Sequence, residues 1–375
     1  MKKKIVVIFG TRPEAIKLSP VIRELGKSSD LQNFIISTGQ HKEMLRQVLD
    51  LFEVTPDFDL DIMSSDQTLN SISSKVIKEL DILFRQIKPD MVIVHGDTST
   101  AMSAAICAFH LKIPISHIEA GLRSHNVLSP WPEELNRSII SLVASLNFAP
   151  TEQAKLNLVN QGVDPLSIKV TGNTVIDALR FVKEKSENQQ VLVEHKKKLP
   201  LEVEKNYKIV LVTGHRRESF GRGFENICLA LKKIASIKNV KVIYPVHLNP
   251  SVKEPVERHL SDDPNIILID PLDYESFIHL MMEAYIILTD SGGIQEEAPF
   301  LGKPVLLMRD NTERPEAIDS GCVKMVGTET EKIVNGVVEL LESKDQYNDM
   351  AKSANPYGDG YASIKIVEKL RAELG

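Results

Sequence analysis

The sequence predicts an α/β protein made of two doubly wound units, each a parallel sheet with crossover helices on its faces. Three observations predict it. First, β-branched apolar runs recur and break off into charged or glycine-rich residues: Ile5–Phe9 into Gly10-Thr-Arg-Pro-Glu, Met91–Val94 into His95-Gly-Asp-Thr, Ile113–Ile118 into Glu119-Ala-Gly, Ile209–Val212 into Thr213-Gly-His-Arg-Arg-Glu, and Ile286–Thr289 into Asp290-Ser-Gly-Gly. Strands buried on both faces read this way. Second, helical patterns separate these runs nearly throughout, as crossover connections require. Third, a chain of 375 residues exceeds the size at which one hydrophobic core keeps growing, so about two domains are expected.

Strands are expected near 4–9, 33–38, 91–95, 113–118, 146–149 and 168–170 in the first half. Lys2, Lys3 and Lys4 before the first run imitate a secretion signal. The apolar stretch falls short of an h-region of about 7–15 residues, and Thr-Arg-Pro-Glu follows it, so it reads as a strand. Between Leu69 and Gln86 the apolar Ile72, Val76, Leu80 and Leu83 recur at helical spacing, and Lys88-Pro89 ends the helix. Residues 183–206, polar and rich in Lys and Glu, interrupt the rhythm. It resumes with strands near 208–213, 240–245, 265–269, 285–289 and 304–308. The expected domains are 1–172 and 173–360, with a last helix within 361–375 able to pack back on the first.

Composition narrows the function classes. With 42% hydrophobic and 26% charged residues the chain has an ordinary globular make-up. A net charge of −6 argues against a broad nucleic-acid surface but leaves room for a local cationic pocket. No apolar run approaches the length of about 20 residues that spans a bilayer. Cys107, Cys228 and Cys322, odd in number and widely spaced, read as reduced core residues of a cytoplasmic protein.

In open α/β sheets ligands sit beyond the carboxyl ends of the strands, so Arg12, Asp97, Glu119 and His215 are expected to converge. Asp290-Ser-Gly-Gly-Ile-Gln-Glu-Glu297 follows a strand and opens a helix, where free N–H groups and the positive dipole end receive an anion. Gly292 and Gly293 let the backbone approach a phosphate, and Glu297, one turn on, suits a ribose. Gly10-Thr-Arg-Pro-Glu-Ala-Ile-Lys17 lacks the three glycines of a dinucleotide fingerprint, so Arg12 and Lys17 suit a pyrophosphate, or else pair with neighbouring acids. Arg314, in the loop after a buried strand, is a third cation. A carboxylate at the end of an apolar strand is costly unless paired or used, which singles out Asp97 and Glu119. Asp97 has the alternative task of capping the helix that starts at Thr98. Glu133 and Glu134, alone, read as compensation of a helix dipole. There is no H-x-x-x-H, Cys pair or Asp-rich loop, so no metal is expected.

Seven segments in order give a resemblance over essentially the whole chain. They are Gly10-Thr-Arg-Pro-Glu-Ala-Ile-Lys-Leu-Ser-Pro20, Thr38-Gly-Gln-His41, His95-Gly-Asp-Thr98, His117-Ile-Glu-Ala-Gly-Leu-Arg123, Trp131-Pro-Glu-Glu-Leu-Asn-Arg137, Thr213-Gly-His-Arg-Arg-Glu218 and Asp290-Ser-Gly-Gly-Ile-Gln-Glu-Glu297. The chain resembles the non-hydrolysing UDP-N-acetylglucosamine 2-epimerases. The resemblance implies two Rossmann-like doubly wound domains facing a central cleft, the GT-B arrangement, with UDP-N-acetylglucosamine and UDP as ligands, no cofactor, and a homodimer. It assigns Asp97, Glu119, Glu133 and His215 to catalysis, and Arg12, Lys17, Phe277, Ser291, Gly292, Gly293, Glu297 and Arg314 to UDP. Leu272 stands where members often have glutamine beside the uracil. Gln40, Arg216 and His247 are similar to an allosteric set that binds a second substrate molecule, while Glu43 and Asp66 replace an expected glutamine and arginine. Since a carboxylate in place of arginine weakens diphosphate capture, weak or absent substrate activation is expected. The implied chemistry is epimerisation at C2; the alternatives are a hydrolysing 2-epimerase, or a 2-epimerase of a related UDP-sugar such as a 2,3-diacetamido uronic acid.

Overall fold

The computed structural model describes residues 2–39, 42–62, 67–186, 207–214, 216, 220–312 and 314–375, the side chains of 42–44 excepted. Two compact units emerge: Met1–Phe181 with Tyr357–Gly375, and Val182–Pro356.

In the first unit, β1 (Lys3–Phe9), β2 (Leu31–Ser37), β3 (Phe58–Asp59), β4 (Met91–His95), β5 (Ile115–Ile118), β6 (Leu146–Ala149) and β7 (Ile168–Val170) form a sheet in the order β3-β2-β1-β4-β5-β6-β7. All pairings are parallel. The chain runs outward from β1 to β3, then returns to lay β4 against β1. That reversal opens a crevice beyond the carboxyl ends of β1 and β4, where Gly10 and Gly96 begin their turns. On one face Val6, Ile8, Val92 and Val94 pack with Val76, Leu80, Phe84, Ala104 and Ile140. The helix Leu69–Ile87 starts at the Thr68 cap, buries Val76, Leu80 and Phe84 on one stripe, and stops where Lys88 turns left-handed before Pro89.

The second unit repeats the plan with β8 (Lys208–Thr213), β9 (Val240–Pro245), β10 (Ile266–Ile269), β11 (Ile286–Thr289), β12 (Val305–Leu307) and β13 (Val323–Met325) in the order β10-β9-β8-β11-β12-β13. Here the reversal falls between β8 and β11, at Gly214 and Asp290. Val210, Val212, Tyr244 and Leu288 meet Phe224, Leu231, Val256 and Val337 in its core. Cys107, Cys228 and Cys322 are buried and unbridged. No helix among the described residues is long and apolar enough to cross a membrane.

A boundary at 172/173 would give the whole helix Thr174–Ser186 to the second unit. Its residues through Phe181 group with the first instead, for two reasons. The Asp177 carboxylate accepts from the N–H groups of Ala362 (3.0 Å) and Ser363 (2.7 Å), capping the helix Ala362–Leu374, and Phe181 packs on Phe52 at 5.1 Å between ring centroids. Ser186, at the other end, meets His279 of the second unit's own fold at 3.1 Å. The helix Ala362–Leu374 lies along Arg12–Gly26, and Arg371 pairs with Asp30 at 2.9 Å.

Candidate active site

The carboxyl end of β1 is built around Glu14. Thr11 caps the helix Arg12–Gly26 in a capping box with Glu14, and Pro13 fits its first turn. Glu14 is 2% exposed and accepts from the Gly10 and Thr11 N–H groups at 3.0 and 2.8 Å and from the Thr98 hydroxyl at 2.6 Å. Burial nevertheless pushes its carboxyl above the usual range. By tying β1's turn to β4's, Glu14 fixes where Arg12 and Asp97 stand. Arg12 is half-buried at the start of this helix.

Lys17, one turn deeper, is half-buried with its ammonium on Glu119 Oε2. The same oxygen accepts from Asn173 Nδ2 at 2.7 Å, and His95 Nε2 lies 3.9 Å away. Glu119 follows β5 with φ of 64°, a left-handed backbone that a non-glycine residue keeps only when its surroundings hold it there. Two residues on, Gly121 is obligatory: its φ is 90°, and a Cβ there would strike the Ala154 carbonyl. His95 is buried, and burial lowers its imidazole to about 4, so it is neutral at physiological pH; Glu119 opposes the shift and Lys17 adds to it.

Asp97 does not cap the following helix; the Thr98 hydroxyl does, accepting from Ala101 N–H at 3.0 Å. Asp97 instead holds Arg137 Nη2 at 2.5 Å, and its carbonyl accepts from Asn136 Nδ2 at 2.8 Å. Burial raises its proton affinity; Arg137 works against this, and the neighbouring Glu119 and Glu133 charges work with it. Glu133 opens the helix Glu133–Val143 with Oε2 buried and unbonded, whereas Glu134 accepts from the Ser124 and His125 N–H groups at 3.0 and 3.1 Å. The adjacent acids thus have different tasks. Glu134 shapes the 121–126 loop and shares Arg137 with Asp97, and Glu133 lies near enough for its charge to act on Asp97.

In the second unit the turn after β11 leads directly into a helix N-terminus. Ser291 caps the helix Gly292–Phe300 without a side-chain bond to it, and its first turn carries no acid to oppose the dipole. Arg314 heads the short helix Pro315–Asp319, donates to buried Glu296 at 2.6 Å, and lies over Gly292 so closely that a Cβ there would collide with the guanidinium. Glu297 Oε1 accepts from the Tyr274 hydroxyl at 3.0 Å. Phe277 is half-buried on the same helix as Tyr274. Asp290 Oδ2 accepts from Arg216 N–H at 2.8 Å, closing the turn after β8. His247 is exposed and accepts from Asn249 N–H at 3.1 Å. Gln40, His215 and Asp66, and the side chain of Glu43, lie outside what is described.

The first unit therefore brings together Lys17, Asp97, Glu119 and Glu133, and the second Ser291, Gly292 and Arg314. Asn173 and Arg137 were not expected among them. Asn173 follows β7 in Thr171-Gly-Asn, the same strand-end signal used for the others, and Arg137 stands one helical turn after Glu133. Among the described residues no group of three or more His, Cys, Asp or Glu is placed to hold a metal ion.

The two units thus make an α/β protein with a carboxylate cluster at one switch point and a helix N-terminus under a guanidinium at the other. Over residues 23–371 the chain matches the family model for UDP-N-acetylglucosamine 2-epimerase. A Yersinia pestis protein of that name is 52% identical over 369 residues, covering 98% of each chain. The Neisseria meningitidis UDP-GlcNAc 2-epimerase, crystallised with UDP-GlcNAc, superposes with a TM-score of 0.92 at 47% identity, covering 98% of this chain and 100% of its own. An S. aureus protein, MnaA, solved with UDP, gives 0.87 at 42% identity over 99% of this chain and 97% of its own. The chain belongs to the UDP-N-acetylglucosamine 2-epimerase family, and is accordingly an isomerase.

Proposed function

We propose that the protein interconverts UDP-N-acetylglucosamine and UDP-N-acetylmannosamine without hydrolysis, by anti elimination and re-addition of UDP. C1 of the sugar is an acetal carbon, so the C2 proton has little acidity while UDP is attached. The C1–O bond breaks first and its electron pair leaves with UDP; the C2 proton then goes to a carboxylate and a C1–C2 double bond forms, giving 2-acetamidoglucal. UDP oxygen re-adds to C1 and a proton returns to the opposite face of C2.

The observation that carries this reading is the cluster of Asp97, Glu119 and Glu133, in which burial above all, with the two neighbouring carboxylates, raises Asp97's proton affinity against Arg137 and Lys17. A base moved up toward the operating pH is what removal of a weakly acidic proton needs. These three carboxylates remove and return the proton, and His215 takes the catalytic part that the family resemblance gives it. Arg12, Lys17 and Arg314 stabilise the departing diphosphate, Lys17 while also holding Glu119. Ser291, Gly292 and Gly293 receive phosphate, and Glu297 and Phe277 meet the nucleoside. The enzyme works as a homodimer in the cytoplasm, supplies surface polysaccharide synthesis, and responds weakly or not at all to a second substrate molecule at Gln40, Arg216 and His247.

Incubation with UDP-N-acetylglucosamine in heavy water tests the reading. Deuterium is expected at C2 of a sugar still attached to UDP, and Asp97→Asn or Glu119→Gln should abolish the label while UDP binding persists. Free N-acetylmannosamine as the product would overturn it in favour of a hydrolysing enzyme.

A further inference from the structure

We propose that Asn173 is a positioning residue for Glu119: its side-chain amide aims the carboxylate and keeps it ionised. The proposal rests on the reading that Glu119 handles the C2 proton. Asn173 is 2% exposed and precedes Thr174, the first residue of its helix. Its Oδ1 accepts from Val175 N–H at 3.1 Å, which fixes which way the amide is turned. The NH2 group must then face outward, and it donates to Glu119 Oε2 at 2.7 Å. An aspartate in this place caps the helix equally well but presents only acceptors to Glu119. A serine also caps but is too short to reach it.

The position is locked from behind. Asn173 N–H donates to the Tyr357 carbonyl at 2.7 Å, and the backbones of Gly172 and Gly358 touch so closely that a Cβ on Gly172 would come within 3.2 Å of Gly358 Cα. Because Asn173 and Lys17 both bind Oε2, the other oxygen is directed over Gly96, 3.7 Å from where a Cβ would stand, beside the turn that carries Asp97. Lys17 supplies charge on a long, flexible stem, whereas Asn173 supplies direction from a short rigid one.

The test is Asn173→Ser, with Asn173→Asp as the isosteric second variant, each also combined with Glu119→Asp, whose shorter side chain withdraws from the amide. Turnover, UDP affinity, melting temperature and the pH dependence of kcat are measured. Asn173→Ser should lower kcat about 10- to 100-fold, as misplacement of a reacting group does. UDP affinity should stay within about twofold, and the acid limb of kcat should move to higher pH, because a lost donated hydrogen bond makes the carboxylate hold its proton more tightly. Asn173→Asp should move the limb further in the same direction. In the Glu119→Asp background Asn173→Ser should add little. Unchanged kcat, a fall without displacement of the limb, or a full multiplicative loss in the Glu119→Asp background would each overturn the proposal. Retention of wild-type exchange by Glu119→Gln would instead remove the functional reading beneath it.

Discussion

Replacing Lys17 by methionine removes the charge and keeps most of the side chain's length. Lys17 and Glu119 are 14% and 9% exposed, so the pair is largely out of water and bulk screening does little to it. Breaking a buried pair from one side costs about 3–5 kcal/mol because the remaining charge is stranded. Glu119 keeps its 2.7 Å bond from Asn173, and a hydrogen bond to a charged group is worth about 1.5–3 kcal/mol, so the net expectation is about 1–3 kcal/mol. For a unit of about two hundred residues that lowers the melting temperature by roughly 2–12 °C. Trp131 is the single tryptophan and belongs to the first unit, so its fluorescence during urea unfolding reports the unit concerned. The pH dependence has a definite sign. Without the ammonium the ionised carboxylate is the stranded species, so the deficit is full when Glu119 is ionised and shrinks as acid protonates it. Adding Glu119→Gln should restore most of the loss. A deficit below about 1 kcal/mol that does not vary between pH 8 and pH 5 would show that water screens the pair after all.

Burial holds Asp97's carboxyl above its ordinary range, so the fold prefers it protonated and stability falls as pH rises through that window. Asp97→Asn should therefore unfold at higher urea than the parent at neutral pH and converge with it in acid, each pKa unit of difference being worth about 1.4 kcal/mol. Gly292→Ala drives a methyl group into the Arg314 guanidinium and should weaken UDP binding about 10- to 100-fold by calorimetry, with the melting temperature nearly unchanged. Unaltered affinity would remove that turn from the nucleotide site. Gly121→Ala should cost more than about 3 kcal/mol, since it meets both a positive φ and the Ala154 carbonyl. Gly26→Ala, with open space around a helix end, should add about 0.5–1 kcal/mol in the same thermal assay.

The fold was legible wherever a strand is long enough to show its burial. Expected strands at 91–95, 146–149, 168–170, 208–213 and 240–245 coincide with β4, β6, β7, β8 and β9. β3 and β13, of two and three residues, were not expected; each lies at a sheet edge, paired only to β2 or to β12. At the site, strand ends singled out Asp97 and Glu119, since an acid there needs a partner or a use, and both have partners in the first unit. What sequence could not show was the division of labour. Nothing in Glu133-Glu134 tells which acid turns to a loop's N–H groups, and nothing near Lys17 announces an acid more than a hundred residues away. Those outcomes depend on which elements the crossovers bring side by side.

The helix Ala362–Leu374 completes the first unit, yet ribosomes make it only after all of Val182–Pro356. At a synthesis rate of about 5–20 residues per second the nascent amino-terminal sheet waits roughly ten to thirty seconds for its final layer. Until then the faces of Arg12–Gly26 and of Asp177 that this helix covers stand open to chaperones and proteases. Translation pauses placed late in the message should accordingly harm the earliest-made part of the protein most.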